Sequence, residues 1–99
     1  MSNTVQTFYD TQLTAEVKKY TVDLSAFLPA GGSVVSGSAT YSQTFGGAAS
    51  GTCSVSTTAS AATFTSPALS AAGLYTFTLS ATLSDSQIRK AYYAIRVDV

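Results

Sequence analysis

Any catalysis by this chain would have to proceed without histidine, since the sequence contains none. That absence removes a Ser-His-Asp or Cys-His arrangement. None of the serines stands in a Gly-x-Ser-x-Gly elbow, the sharp turn that exposes a nucleophilic hydroxyl. The five acids are Asp10, Glu16, Asp23, Asp85 and Asp98. Asp23 and Asp98 could in principle pair across strands, but outward positions on wet strands give no reason for the divergent pKa values that acid-base pairs need. Zinc lacks ligands, and Asp85 alone in a turn supplies too few oxygens for calcium. The glycine pairs lack the lysine and the strand-to-helix setting of a phosphate loop. The sequence predicts a protein that is not an enzyme and holds no metal or cofactor. Cys53, the single cysteine, excludes an intrachain disulfide and reads as a small apolar core filler.

Binding chemistry is better represented. Residues 1–15 are polar with scattered Val5, Phe8, Tyr9 and Leu13, a spacing that fits neither helix nor strand. The stretch is either a frayed end or an arm that lies on its own domain or on a neighbour. The adjacent aromatics Phe8 and Tyr9 are costly to leave in water and favour an arm ordered by contact. Lys18 and Lys19 flank the first confident strand, and Arg89 and Lys90 the last. If those strands are neighbours, the four bases gather at one edge, either to blunt it against aggregation or to dock an acidic partner. Edge protection is the preferred reading. Phe45, in a Gly-rich loop, is placed to serve as an exposed aromatic for a ligand.

The elements that must position these groups are strands. Tyr75, Phe77, Leu79, Ala81 and Leu83 alternate with Thr76, Thr78, Ser80 and Thr82, the period-2 signature of a strand with one buried face. Earlier strands are expected over 17–24, with Tyr20, Val22 and Leu24 inward, and over 33–42, with Val35, Gly37, Ala39 and Tyr41 inward. Phe27 and Leu28 plug one end, Pro29 to Gly32 reverses the chain, and 43–51 is a loop. Two short strands carry Cys53 and Val55, then Ala62 and Phe64, inward, and Ser66-Pro67 breaks the ladder. The last strand covers 87–99, with Ala91, Tyr93, Ile95, Val97 and Val99 on one face. The sum is an all-β, immunoglobulin-like antiparallel β-sandwich of about six or seven strands, residues 16–99, preceded by an N-terminal arm, residues 1–15. Gly73-Leu74-Tyr75 matches the tyrosine corner of such folds, in which a Tyr at the start of strand F bonds nearby backbone. Phe77 stands where antibody domains carry a cysteine, and there is no Trp.

Composition agrees with that class. Hydrophobic residues make up 45% and charged residues only 10%, against about 25% charged in an ordinary soluble domain. Serine and threonine fill the difference and suit the wet faces of strands. Ninety-nine residues bury roughly two-thirds of the unfolded surface, enough for one core. The formal net charge is zero, so nothing steers the protein towards nucleic acid or an anionic membrane. No run approaches the ~18 apolar residues of a membrane span. The first residues carry neither a basic region nor an apolar run, so the expectation is a complete, cytoplasmically made product.

Glu16-Val17-Lys18-Lys19-Tyr20-Thr21-Val22-Asp23-Leu24-Ser25, Leu28-Pro29-Ala30-Gly31-Gly32-Ser33-Val34-Val35-Ser36, Gly73-Leu74-Tyr75-Thr76-Phe77-Thr78-Leu79 and Ile95-Arg96-Val97 together resemble small Ig-like virion proteins of tailed phages. The pattern is similar to the fibre-tail adaptor group and, in size and composition, to Ig-like capsid decoration proteins. The adaptor group has an Asp-Pro pair before the first strand and a Trp after its Asp, where Thr14-Ala15 and Leu24 stand here, and its arm is shorter. The resemblance implies a non-enzymatic structural protein of the virion, made in the host cytoplasm. Its partners would be capsid or tail subunits, and copies of itself arrayed as a homo-oligomer on the particle. A decoration or cement protein of the capsid surface is the preferred station, since an extended arm suits gripping a repeated lattice. The alternatives are a tail or tail-fibre adaptor, and a carbohydrate- or cell-surface-binding module using the end loops around Phe45 and Phe27 on the host cell surface.

Overall fold

A computed structural model of the protein describes residues 4–69 and 71–98, and of residues 4–8 the backbone path alone. Its strands are β1 (Thr4–Leu13), β2 (Lys19–Asp23), β3 (Val34–Phe45), β4 (Ser50–Thr57), β5 (Ala61–Thr65), β6 (Gly73–Leu83) and β7 (Ile88–Asp98), with one 3-10 turn at Ser25–Phe27. They run in the order β1-β7-β6-β3-β4-β5-β2. Every pairing is antiparallel except that of β1 with β7, which is parallel. No helix among the described residues is long and apolar enough to cross a membrane.

The sheet becomes a sandwich because β4 belongs to both layers. Its first half, Thr52 and Cys53 included, pairs with β3, and from Ser54 onward it pairs with β5. The fold at Cys53/Ser54 lays β5 and β2 over β3, β6 and β7. The shortest extent of the molecule is 18 Å, room for two sheets stacked about 10 Å apart and no third. Phe64 of β5 stacks on Phe77 of β6 at 5.6 Å and meets Tyr93 of β7 edge-on at 5.0 Å, while Tyr20 of β2 lies 5.0 Å from Tyr93. Tyr75, Phe77, Leu79, Ala81 and Leu83 are all buried, as are Ala91, Tyr93, Ile95 and Val97. The expected inward placement of Val99 lies outside the described residues. Each fully buried large side chain contributes about 1.5–3 kcal/mol, so these alternating faces supply most of the driving force.

The tyrosine corner is present. The Tyr75 hydroxyl donates to the carbonyl of Ala71 at 2.8 Å, tying the connection from β5 to the start of β6. Phe27 and Leu28 pack half-buried against the core end, as expected.

The structure corrects three features of the sequence reading. In β3 it is Val34, 7% exposed, that points inward, and Val35, 60% exposed, that points out. A bulge between Val34 and Ser36 inserts one residue against β6, and one extra residue resets the alternation. The loop expected over 43–51 is shorter: Gln43 to Phe45 belong to β3 and Ser50-Gly51 to β4. Finally, the stretch whose spacing fits neither helix nor strand does form a strand, Thr4–Leu13, and it lies on its own domain along β7, one of the two placements expected for the arm.

Candidate functional site

On the outer face of the β1-β7-β6-β3 layer, one end of β6 departs from the hydroxyl-rich character of the rest of that strand. Along β6 the outward residues are Thr76, Thr78, Ser80 and Thr82, but the series begins with Leu74, 45% exposed. Leu74 lies opposite Arg96 of β7 and opposite Phe45 of β3. Phe45 reaches this face because of a second bulge. Gln43 and Phe45 oppose the consecutive residues Tyr75 and Leu74, so the extra residue turns Phe45 from the core side to the outer side, where it is 70% exposed.

A polar clamp holds that bulge. The buried Gln43 side chain donates through Nε2 to the carbonyls of Phe45 (3.3 Å) and Ala72 (3.2 Å), and its Oε1 accepts from the Ala49 amide at 3.3 Å. Gly73 sits beside it at φ +149, and a Cβ there would lie 2.2 Å from the Phe45 carbonyl oxygen. Only glycine fits this close approach of two backbones. The exposed aromatic is thus mounted on a rigid support.

On the other flank, Tyr9 of β1, 80% exposed, stands opposite Ala94 of β7. Two adjoining grooves result. One of about 360 Å³ runs between Tyr9, Thr44, Leu74, Thr76 and Arg96. The other, of about 350 Å³, runs between Phe45, Gly73, Leu74, Arg96 and Asp98. Leu74 and Arg96 form the ridge they share. The Arg96 Nε lies 3.2 Å from Oδ2 of Asp98, both side chains exposed, so the charge of the ridge is balanced locally. Leu13, also exposed, pairs in register with Asp98. Exposed apolar side chains gathered beside grooves mark interaction surfaces rather than reaction centres.

Of the residues singled out from the sequence, Tyr9, Leu13 and Phe45 are therefore brought to one end of one face. Val5 and Phe8 lie on the backbone of β1, with side chains outside the described residues. Leu74 and Arg96 were not singled out as site residues. The signal for Leu74 was present, an apolar residue at the outward phase of a strand whose other outward residues are hydroxylic.

The four bases are not gathered at one edge. Their strands, β2 and β7, lie in different layers and do not pair. Lys18 Nζ stands 3.6 Å from Asp10 Oδ2 and donates to the Thr11 carbonyl at 2.9 Å. Arg89 sits at the opposite end of β2, its guanidinium 5.1 Å from the centre of the Phe27 ring and donating to Gln87. Lys19 and Lys90 are exposed, one opposite Thr65 of β5 and the other opposite Thr4 of β1. Among the described residues, no three Cys, Asp or Glu side chains gather as metal ligands. Cys53 is half-buried, and burial pushes its thiol up to about 11.

No protein-family model matches the sequence, and no curated protein matches it. Similar folds occur among solved structures. InlP of Listeria monocytogenes superposes with a TM-score of 0.57 at 14% identity, over 96% of this chain and 27% of that one. A structure described as the IG27 protein domain gives 0.50 at 13% identity, over 91% and 89%. The 2,6-sialyltransferase of Photobacterium sp. JT-ISH-224 gives 0.50 at 13% identity, over 100% and 19%. The chain thus spans about a quarter of the first protein and a fifth of the last. At such identities the likeness is one of fold, an Ig-like all-β domain.

Proposed function

We propose that this protein is a non-enzymatic accessory module of a tailed-phage virion, seated on a repeated site of the capsid surface as a decoration or cement protein. The observation that carries the reading is the group of exposed apolar side chains Tyr9, Leu74 and Phe45 gathered at one end of the outer face of the β1-β7-β6-β3 layer. Residues of the type of Tyr9 and the adjoining Arg96 are enriched among the anchors that dominate protein-protein binding energy. The stretches similar to Ig-like virion proteins and the weakly charged surface support the same reading.

The test is particle binding by a Phe45→Asp/Leu74→Asp double variant. Both side chains point outward, so the domain should stay folded while affinity for particles falls more than about tenfold. Unchanged binding would sink the role of the patch. Removing β1 is not an equivalent test, because it bares the edge of β7. Quantitative mass spectrometry of purified particles separates the stations. Abundance near that of the capsid subunit supports decoration, a ring-sized number points to a tail adaptor, and absence from particles refutes a virion role.

A second reading has its own observation. Tyr9 and Phe45 flank grooves whose walls include Thr44, Thr76 and Arg96, the mixture of aromatic and hydrogen-bonding groups that a glycan uses. Saturable glycan binding that is lost in Phe45→Ala would favour a carbohydrate-binding module.

A further inference from the structure

β1 is attached to the rest of the domain in an unusual way for a strand ten residues long. Its pairing with β7 is parallel, the slightly weaker ladder. Among its residues with described side chains, Tyr9, Thr11 and Leu13 are exposed, Asp10 is half-buried, and Gln12 alone is buried. Among these residues, 9–13, the side-chain ties to the rest of the domain on the inward phase are specific hydrogen bonds. Gln12 Nε2 donates to Ser66 Oγ at 3.1 Å, and Ser66 Oγ reaches back to Gln12 Oε1 at 3.4 Å. The Tyr20 hydroxyl donates to Asp10 Oδ2 at 2.8 Å. Such bonds fix register without fixing which molecule supplies the strand.

The connection to β2 is short and strained. Residues 14–18 turn tightly, with the Glu16 amide donating to the Leu13 carbonyl at 3.2 Å and the Leu13 amide donating to Glu16 Oε1 at 2.8 Å. Within the turn Ala15 is held at φ +64, a conformation an L side chain disfavours. Extending this hinge relieves Ala15 and carries β1 away from its own β7. A strained hinge under an edge element is the setting in which identical chains exchange that element.

We propose that β1 is an exchangeable strand, and that the partner for the edge of β7 is the β1 of a second copy of this chain. The exchanged strand remakes the parallel ladder, the Gln12–Ser66 pair and the Asp10–Tyr20 bond in trans, and the hinge opens. In each copy the groove between Tyr9 and Leu74 then takes its Tyr9 wall from the neighbouring copy. The inference is independent of the virion reading, since it concerns only copies of this chain with each other.

The test uses the register partners Tyr9 and Ala94. A Tyr9→Cys/Ala94→Cys variant with Cys53→Ala is refolded under reducing conditions at low and high protein concentration, oxidised, and run on a denaturing gel without reductant. Exchange gives a covalent dimer whose fraction rises with concentration, and a closed molecule gives an internally linked monomer. Adding Ala15→Gly, which accepts positive φ, should lower the dimer fraction several-fold. Adding Ala15→Pro, which forbids positive φ, should raise it several-fold. Monomer at every concentration overturns the proposal, as does a dimer with internal disulfides. A dimer fraction that Ala15→Gly leaves unchanged also overturns it, and that comparison decides the matter even where Ala15→Pro does not fold.

Discussion

The hydroxyl of Tyr20 and the carboxylate of Asp10, 2.8 Å apart, join the two ends of the sheet order, β2 and β1. The bond sits at the rim where the layers meet, and Lys18 approaches the same carboxylate at 3.6 Å. Burial alone would raise the pKa of Asp10, but the bonds from Tyr20 and the Thr11 amide, with the nearby Lys18 charge, outweigh it and hold the carboxyl below its ordinary value. The folded form therefore binds this proton less readily than the unfolded chain, so the contribution to stability is present above the unfolded pKa. It is lost as the pH falls below about 4 towards the folded value. Thermal unfolding of the protein and of Asp10→Asn across this range should show a gap at neutral pH that closes on acidification. A gap that stays constant would mean the carboxylate charge contributes nothing to the closure.

Tyr75 gives a second prediction. Its ring is buried in the core while its hydroxyl reaches the Ala71 carbonyl, so Tyr75→Phe deletes one hydrogen bond and leaves the packing intact. Ala71 is exposed, and water takes over its carbonyl. The loss should be about 1 kcal/mol, seen as a lower urea midpoint with an unchanged m-value. A loss of several kcal/mol would mean that the corner holds the whole connection between β5 and β6.

The strands β6 and β7 were legible because apolar or aromatic inward residues alternate with outward ones that are mostly hydroxylic in β6 and mostly polar or charged in β7. β1 was not, because its inward phase includes Gln12, whose polar groups are satisfied by Ser66 in the folded protein and by nothing visible locally. The bulge in β3 was hidden for a similar reason. Val34 and Val35 are the same residue type, so the pattern does not say which of them faces the core. The base patch failed on topology. The first strand does neighbour the last, but that strand is β1, whereas the lysines border β2. Phe45 was identified as exposed, yet its alliance with Leu74 and Tyr9 depends on a bulge and on a parallel pairing, two long-range facts that no local spacing encodes.

Gly73 links the fold to the outer patch. Its φ of +149 and the 2.2 Å approach that a Cβ would make to the Phe45 carbonyl predict that Gly73→Ala costs at least about 1 kcal/mol. The clash falls on the backbone of the residue that projects the exposed ring, so the variant should also disturb the second bulge. Amide exchange measured across 43–49 should accelerate in Gly73→Ala as the Gln43 clamp loosens. Unchanged exchange there, alongside a loss of global stability, would separate the glycine from the mounting of Phe45.

Cys53 reports on the place where β4 passes from one layer to the other, since it is the last residue paired with β3 before Ser54 pairs with β5. Its half-buried side chain packs against the core, and burial pushes the thiol up to about 11. The thiolate is the reactive form, so near neutral pH the native protein should react with a disulfide reagent about a hundredfold more slowly than an unfolded cysteine. Shielding by the neighbouring strands adds to that factor. Comparing native rates with rates in denaturant checks the expectation. If Cys53 instead reacts at close to the unfolded rate, while the far-ultraviolet signal of the sheet is retained, then the two layers part at β4 without global unfolding, and the junction of the sandwich is its weakest point.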